Sequence, residues 1–227
     1  MCVAKFTSGG LYGGWDKSIG SSGTERASDI ACDSAGSLLL GGTFNGTLDF
    51  GGGTKSTSSY DFFAAKYTST GVWQWDYHSN GPNVDYGNAI AVDSANNSYL
   101  VGQCYLGTDF GGGMRTTNGS SDAFLVKLNP SGGWVYDRMW GGTSPDVGSA
   151  VAVNPLTGGP VVAGYYYISA DFGGGPRPTV GNTDGFVVAL DAAGAYQWDR
   201  QIGSSNADTA AGLAVDLQGR QRHIHHR

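Results

Sequence analysis

One phrase is written nearly four times in this chain. Trp15-Asp16, Trp75-Asp76, Tyr136-Asp137 and Trp198-Asp199 lie 60, 61 and 62 residues apart. A short apolar element keeps step with them: Ile30-Ala31-Cys32-Asp33, Ile90-Ala91-Val92-Asp93, Val151-Ala152-Val153-Asn154 and Leu213-Ala214-Val215-Asp216. So do Asp-Phe-Gly-Gly-Gly, at 49–53, 109–113 and 171–175, and an Asp-x-Phe element at Asp61, Asp122 and Asp184. A fixed period longer than about 20 residues means stacked copies of one supersecondary unit, each burying its apolar face on its neighbours.

One copy reads as four strands. In the second copy they cover 88–93, 98–110, 122–128 and 134–140. Polar turns fill 94–97 and 129–133, a Gly-rich loop runs over 111–121, and a polar loop over 141–148 leads to the next copy. No stretch combines helical periodicity with start and stop signals. The expected fold is all-β: a partial β-propeller of four-stranded antiparallel blades, three complete with parts of a fourth. Copies of about 60 residues exceed the ~40–45 of WD-type blades, so the Trp-Asp pairs share only wording with them. Residues 1–219 read as the array, a fragment of a larger propeller. Residues 220–227 form a basic tail outside the pattern, expected to be disordered or artefactual.

Hydrophobic residues make up 40% of the chain, enough for a core. The net charge is −6, and Arg220, Arg222 and Arg227 make the body before the tail more acidic still. That excludes nucleic acid, whose phosphates require a basic face, and disfavours anionic membrane surfaces. No apolar run approaches a membrane span, and residues 1–6 show no signal peptide. Cys2, Cys32 and Cys104 are odd in number, lack metal spacing and stand at apolar strand positions, so they read as small buried hydrophobes.

The acidic positions carry the most suggestive chemistry. Glu25, Asp85, Asp146 and Asp208 are in register in the loop from fourth strand to first. Asp49, Asp109 and Asp171 end the second strand, whose loop emerges on the same face. That face is expected to be acidic, to carry the longer loops, and to hold whatever function the fold presents. Repetition in every copy favours turn-capping carboxylates. The alternative is a cation site at Asp85, Asp146 and Asp208, with calcium as the candidate cofactor. Lys55, Arg115 and Arg177 recur just after the triple glycine and complete a partner-binding face with the four acids.

Repeated aromatics read as core between blades. Tyr105, Tyr165, Tyr166, Tyr167, Trp73, Trp134 and Trp140 are better placed to stack on a sugar or polymer. Catalytic signals are weak. No P-loop follows the glycines, His78 is the one histidine before the tail, and no nucleophile elbow accompanies it. The chain is expected not to be an enzyme.

Three phrases carry a resemblance to a known family: 41–51 (GGTFNGTLDFG), 121–132 (SDAFLVKLNPSG) and 89–93 (AIAVD). They resemble the bacterial seven-bladed β-propeller (SBBP) repeat, over nearly the whole chain up to Gly219. The resemblance implies an extracellular or cell-surface bacterial protein without established activity. It points to a non-catalytic scaffold or binding module that presents loops to a protein or polysaccharide. With too few blades for a ring, the chain is expected to meet the rest of its propeller or a second copy. The alternative is a propeller-based hydrolase or lyase whose active-site blade lies outside this chain.

Overall fold

The computed structural model describes residues 1–216, 218, 219 and 221–226, the last six through their backbone alone. Among the described residues there is no helix, and hairpins follow one another along the chain. β1 (Cys2–Phe6) pairs with β2 (Tyr12–Ser18). Next comes a four-stranded antiparallel sheet in chain order: β3 (Glu25–Cys32), β4 (Leu38–Asp49), β5 (Thr54–Tyr67) and β6 (Trp73–His78).

The second sheet joins β7 (Asp85–Val92) and β8 (Ser98–Tyr105), then, after the small pair β9 (Thr108–Asp109) and β10 (Met114–Arg115), β11 (Ser121–Leu128) and β12 (Trp134–Trp140). The third holds β13 (Asp146–Val153), β14 (Pro160–Asp171), β15 (Pro176–Leu190) and β16 (Tyr196–Ile202). β17 (Thr209–Val215) pairs with β18 (Gln221–His226). The tail at 220–227 therefore contributes a backbone strand in the second-strand position, where disorder was expected; Arg220 and Arg227 lie outside the described residues.

The first strands follow one another in space: β3 touches β7, β7 touches β13, and β13 touches β17. Each apolar cluster is shared by two successive sheets. Leu39, Phe62 and Ala64 of the first sheet meet Leu100, Phe124 and Val126 of the second. Val101 and Leu125 of the second meet Val151, Val162 and Phe186 of the third. Phe62 and Phe124 approach to 4.6 Å between ring centroids across that boundary. Within each sheet a second pair fills the wedge: Phe50–Phe63 at 4.8 Å, Phe110–Phe124 at 5.1 Å and Phe172–Phe186 at 4.4 Å. Burying each ring contributes about 1.5–3 kcal/mol, so these six positions are the main reason the period exists.

The Trp-Asp pair does two jobs. Its aromatic member reaches the next sheet. Trp15 Nε1 donates to Ser69 O at 3.0 Å, and Trp75 Nε1 to Pro130 O at 2.9 Å. The indole of Trp75 lies over Gly132, whose φ of +83° and lack of Cβ admit it: a Cβ there would stand 2.7 Å from the ring. Tyr136 covers Gly194 in the same way. Its aspartate partner stays within its own copy, as described below.

Three expectations change. The first strand opens at Asp85, not 88, which puts Glu25, Asp85 and Asp146 at strand starts and Asp208 one residue before β17. The Gly-rich stretch 111–121 contains the paired strand β10, and in the flanking copies the equivalent residues belong to the long strands β5 and β15. Its tip does not stand on the loop face. A residue with positive φ turns it back over the sheet: Gly46 (+83°), Leu106 (+59°) or Ile168 (+61°). Gly51 and Gly52 then pack under Trp73, and Phe50 O accepts from the Tyr67 hydroxyl at 2.8 Å, both at the opposite end of the sheet. Finally, Cys2 and Cys32 are exposed; Cys104 alone is a buried hydrophobe. Cys32 lies on β3, a sheet-edge strand, and its side chain is not taken up by a neighbour's core.

Candidate functional site

The charged residues that repeat are paired with groups of their own copy. Asp49, Asp109 and Asp171 each accept two amides of their own triple glycine through Oδ1, at 2.7–3.1 Å. Lys55, Arg115 and Arg177 each pair with an aspartate of their own copy and keep 35%, 46% and 41% of the side chain exposed. Lys55 Nζ is 3.2 Å from Asp76, Arg115 Nε 2.7 Å from Asp137 and Arg177 Nε 2.7 Å from Asp199. The same three carboxylates accept from Trp73 Nε1, Trp134 Nε1 and the Tyr196 hydroxyl. The aromatic that covers the glycines is thereby fixed to the aspartate that holds the cation. Burial opposes ionisation of Asp199, but Arg177 and Tyr196 outweigh it and its pKa falls. Trp73 and Trp134 are thus spent on this arrangement, and Trp140 and Tyr166 are buried.

Asp85, Asp146 and Asp208 are buried too, so no partner reaches their carboxylates. Asp85 and Asp146 open two separate strands and Asp208 precedes a third, and among the described residues no group of three His, Cys, Asp or Glu is placed to share a metal ion. Asp146 accepts from Gly142 N at 2.8 Å and Asp208 from Ser204 N at 2.6 Å, four residues back in each case. Glu25 accepts from the Ser21 hydroxyl at the same spacing. Asp85 departs from this pattern. The hydroxyls of Ser79 and Thr108 approach it, yet neither oxygen has a well-aligned partner. Burial, with Asp61 adding repulsion, pushes its pKa up to about 7. Burial does the same to Asp146, with Asp122 as the like-charged neighbour. Ser79 and Thr108 replace apolar residues of the other copies, Ile19, Trp140 and Ile202 for the first and Leu48 and Ala170 for the second. His78 Nδ1 lies 3.5 Å from Asp61. Ser79 and Asp85 are at 0% exposure, whereas the His78 side chain is 25% exposed.

An open groove of about 460 Å³ lies between the first and second sheets. Tyr60 from the first sheet and Tyr86 from the second supply its aromatic rings, with ring centroids 5.9 Å apart and planes 36° from parallel. Arg26, Ser28, Asn88 and Gln103 supply its polar groups. Both tyrosines are half-buried, which leaves ring surface free for a ligand. The row continues beyond the groove. Tyr86 meets Tyr105 edge-on at 6.3 Å, Tyr105 neighbours Tyr165, and Tyr165 meets Tyr167 at 6.3 Å. Tyr105, Tyr165 and Tyr167 were legible as aromatics outside the repeat. Tyr60, Tyr86 and Arg26 were not singled out. The available signal was a register break: Tyr60 aligns with Ser121 and Thr183, and Tyr86 with Arg26, Val147 and Thr209.

No family model matches the chain. No curated protein matches it either. Among solved structures, it is similar to a protein of unknown function from Bacteroides caccae, at 10% identity and a TM-score of 0.45. That match covers 91% of this chain and 55% of the other, so the chain spans about half the length of that protein.

Proposed function

We propose that the three sheets are blades of a β-propeller, and that the chain is a non-catalytic binding scaffold of a secreted or cell-surface bacterial protein. The groove at Tyr60 and Tyr86 presents itself to a polysaccharide. The observation that carries this function is the division of labour among polar side chains. The repeated Asp, Lys and Arg residues are paired with one another, whereas the groove gathers tyrosines and amides that break the repeat. The propeller architecture is supported by the succession of first strands and by the aromatic latch that repeats from sheet to sheet. The placement outside the cell rests on the resemblance of 41–51, 89–93 and 121–132 to the SBBP repeat. The Asp61–His78–Ser79–Asp85 cluster keeps its serine and two carboxylates buried, which lends no support to a hydrolase or lyase.

The test is affinity electrophoresis through gels containing one polysaccharide each, with reducing ends measured on the same samples. Retardation by at least one polymer without release of reducing ends is expected. Migration unaffected by every polymer, or release of new ends, would overturn the proposal.

A further inference from the structure

We infer that the groove selects an acidic sugar, with Arg26 as the group that reads the carboxylate; this rests on the polysaccharide-binding function proposed above. Apart from Arg26, every Lys and Arg whose side chain is described has a partner. Lys55, Arg115 and Arg177 are paired as above, and Lys66 holds Asp33 at 2.8 Å. Lys5, Lys127 and Arg138 donate to the carbonyls of Ser69, Ala192 and Gly194. Lys17 lies over the Tyr67 ring and Arg200 over Trp198. Arg26 has neither ion pair nor hydrogen bond among the described residues, and its side chain lines the groove.

Its acidic neighbours are engaged with other groups. Glu25 accepts from Ser21, and Asp29 accepts from the amides of Ile30 and Ile90 at 2.8 and 3.0 Å. A guanidinium is a planar fork of donors that matches a carboxylate in two parallel hydrogen bonds. The ring faces of Tyr60 and Tyr86 accept the C–H face of a pyranose. The Gln103 side-chain amide lines the groove and has no hydrogen-bond partner among the described residues. A free cation, a ring platform and a spare amide in one groove describe a uronate residue better than a neutral hexose. The net charge of −6 favours a short local contact over a long polyanion, so the suitable probe is a short oligomer.

The experiment is calorimetric titration of the full chain with galacturonate tetramer and, separately, with the neutral galactose tetramer. Saturable binding of the acidic oligomer is expected, about tenfold or more tighter than of the neutral one. Arg26→Gln, an exposed substitution, should remove that preference, weakening the acidic oligomer far more than the neutral one. Tyr86→Ala should weaken both, and Tyr86→Phe should restore them. Equal affinities for the two oligomers, untouched by Arg26→Gln but lost in Tyr86→Ala, would overturn the role of Arg26 and leave polysaccharide binding standing. Binding of neither oligomer, or binding indifferent to both substitutions, would overturn the groove as a saccharide site.

Discussion

Asp85 and Asp146 give this fold an unusual dependence on pH. Each has a folded pKa near 7, well above the ~3.9 of a free aspartate. The folded state therefore holds protons that the unfolded chain has released. Their contribution is intact below about pH 4 and is lost as pH rises through about 7. Asp85→Asn should flatten the fall in stability between those values and raise stability at pH 8 by about 1–3 kcal/mol. Urea unfolding at pH 4.5 and pH 8 checks this; an unchanged slope would contradict it. Ile168 is strained in a different sense. It is β-branched, 63% exposed and held at φ +61°, a conformation that costs about 1–2 kcal/mol for such a side chain. The first copy has Gly46 at the same turn-back. Ile168→Gly should therefore raise the melting midpoint, and a lower midpoint would show that the isoleucine makes a contact worth more than its strain. Neither effect was legible from residue types. Asp85 looked like an exposed turn-capping residue because its register placed it in a loop, and the one-residue turn at 46, 106 and 168 has no fixed composition.

At the scale of elements, the latch between successive sheets carries the clearest consequence. Trp75→Phe removes the indole bond to Pro130 but keeps the ring over Gly132, and should cost about 1 kcal/mol. Gly132→Ala keeps the bond's partners but adds a Cβ against the indole at positive φ, and should cost more. Chemical denaturation of the two variants checks the order; the reverse order would mean that the ring, rather than the turn, adapts. The periodicity of aromatics located this contact only in part. It put Trp75 and Tyr136 in the core between copies, where they are found. It also passed over the second role of the pair, because Asp76 and Asp137 meet Lys55 and Arg115 across 20-odd residues of folded-back hairpin. Spacing along a chain does not announce a hairpin that reverses over its own sheet. The strand pattern itself was plain: β12 covers Trp134–Trp140 as expected, and β11 differs by one residue.

At the scale of the whole molecule, the sheets depend on one another. Phe124 is fully buried and touches Phe62 of the preceding sheet and Phe110 of its own. Phe124→Ala should cost about 3–5 kcal/mol and destabilise both neighbouring sheets together. A loss below about 1 kcal/mol by denaturant titration would mean that the sheets do not share a core. The groove belongs to this scale as well, since β3, β4 and β5 supply one wall and β7 and β8 the other. No single copy contains it, and a repeat read copy by copy conceals it. Its residues are those where adjacent copies differ, Tyr60 and Tyr86 above all.

The account stands or falls on ligand binding at that groove. Hydrogen exchange read by mass spectrometry, with and without galacturonate tetramer, tests it most directly. Slower exchange confined to peptides spanning 24–28, 60, 86–88 and 103 is the predicted result. Protection confined to the hairpins around 49–55, 109–115 and 171–177, or none anywhere, would contradict it.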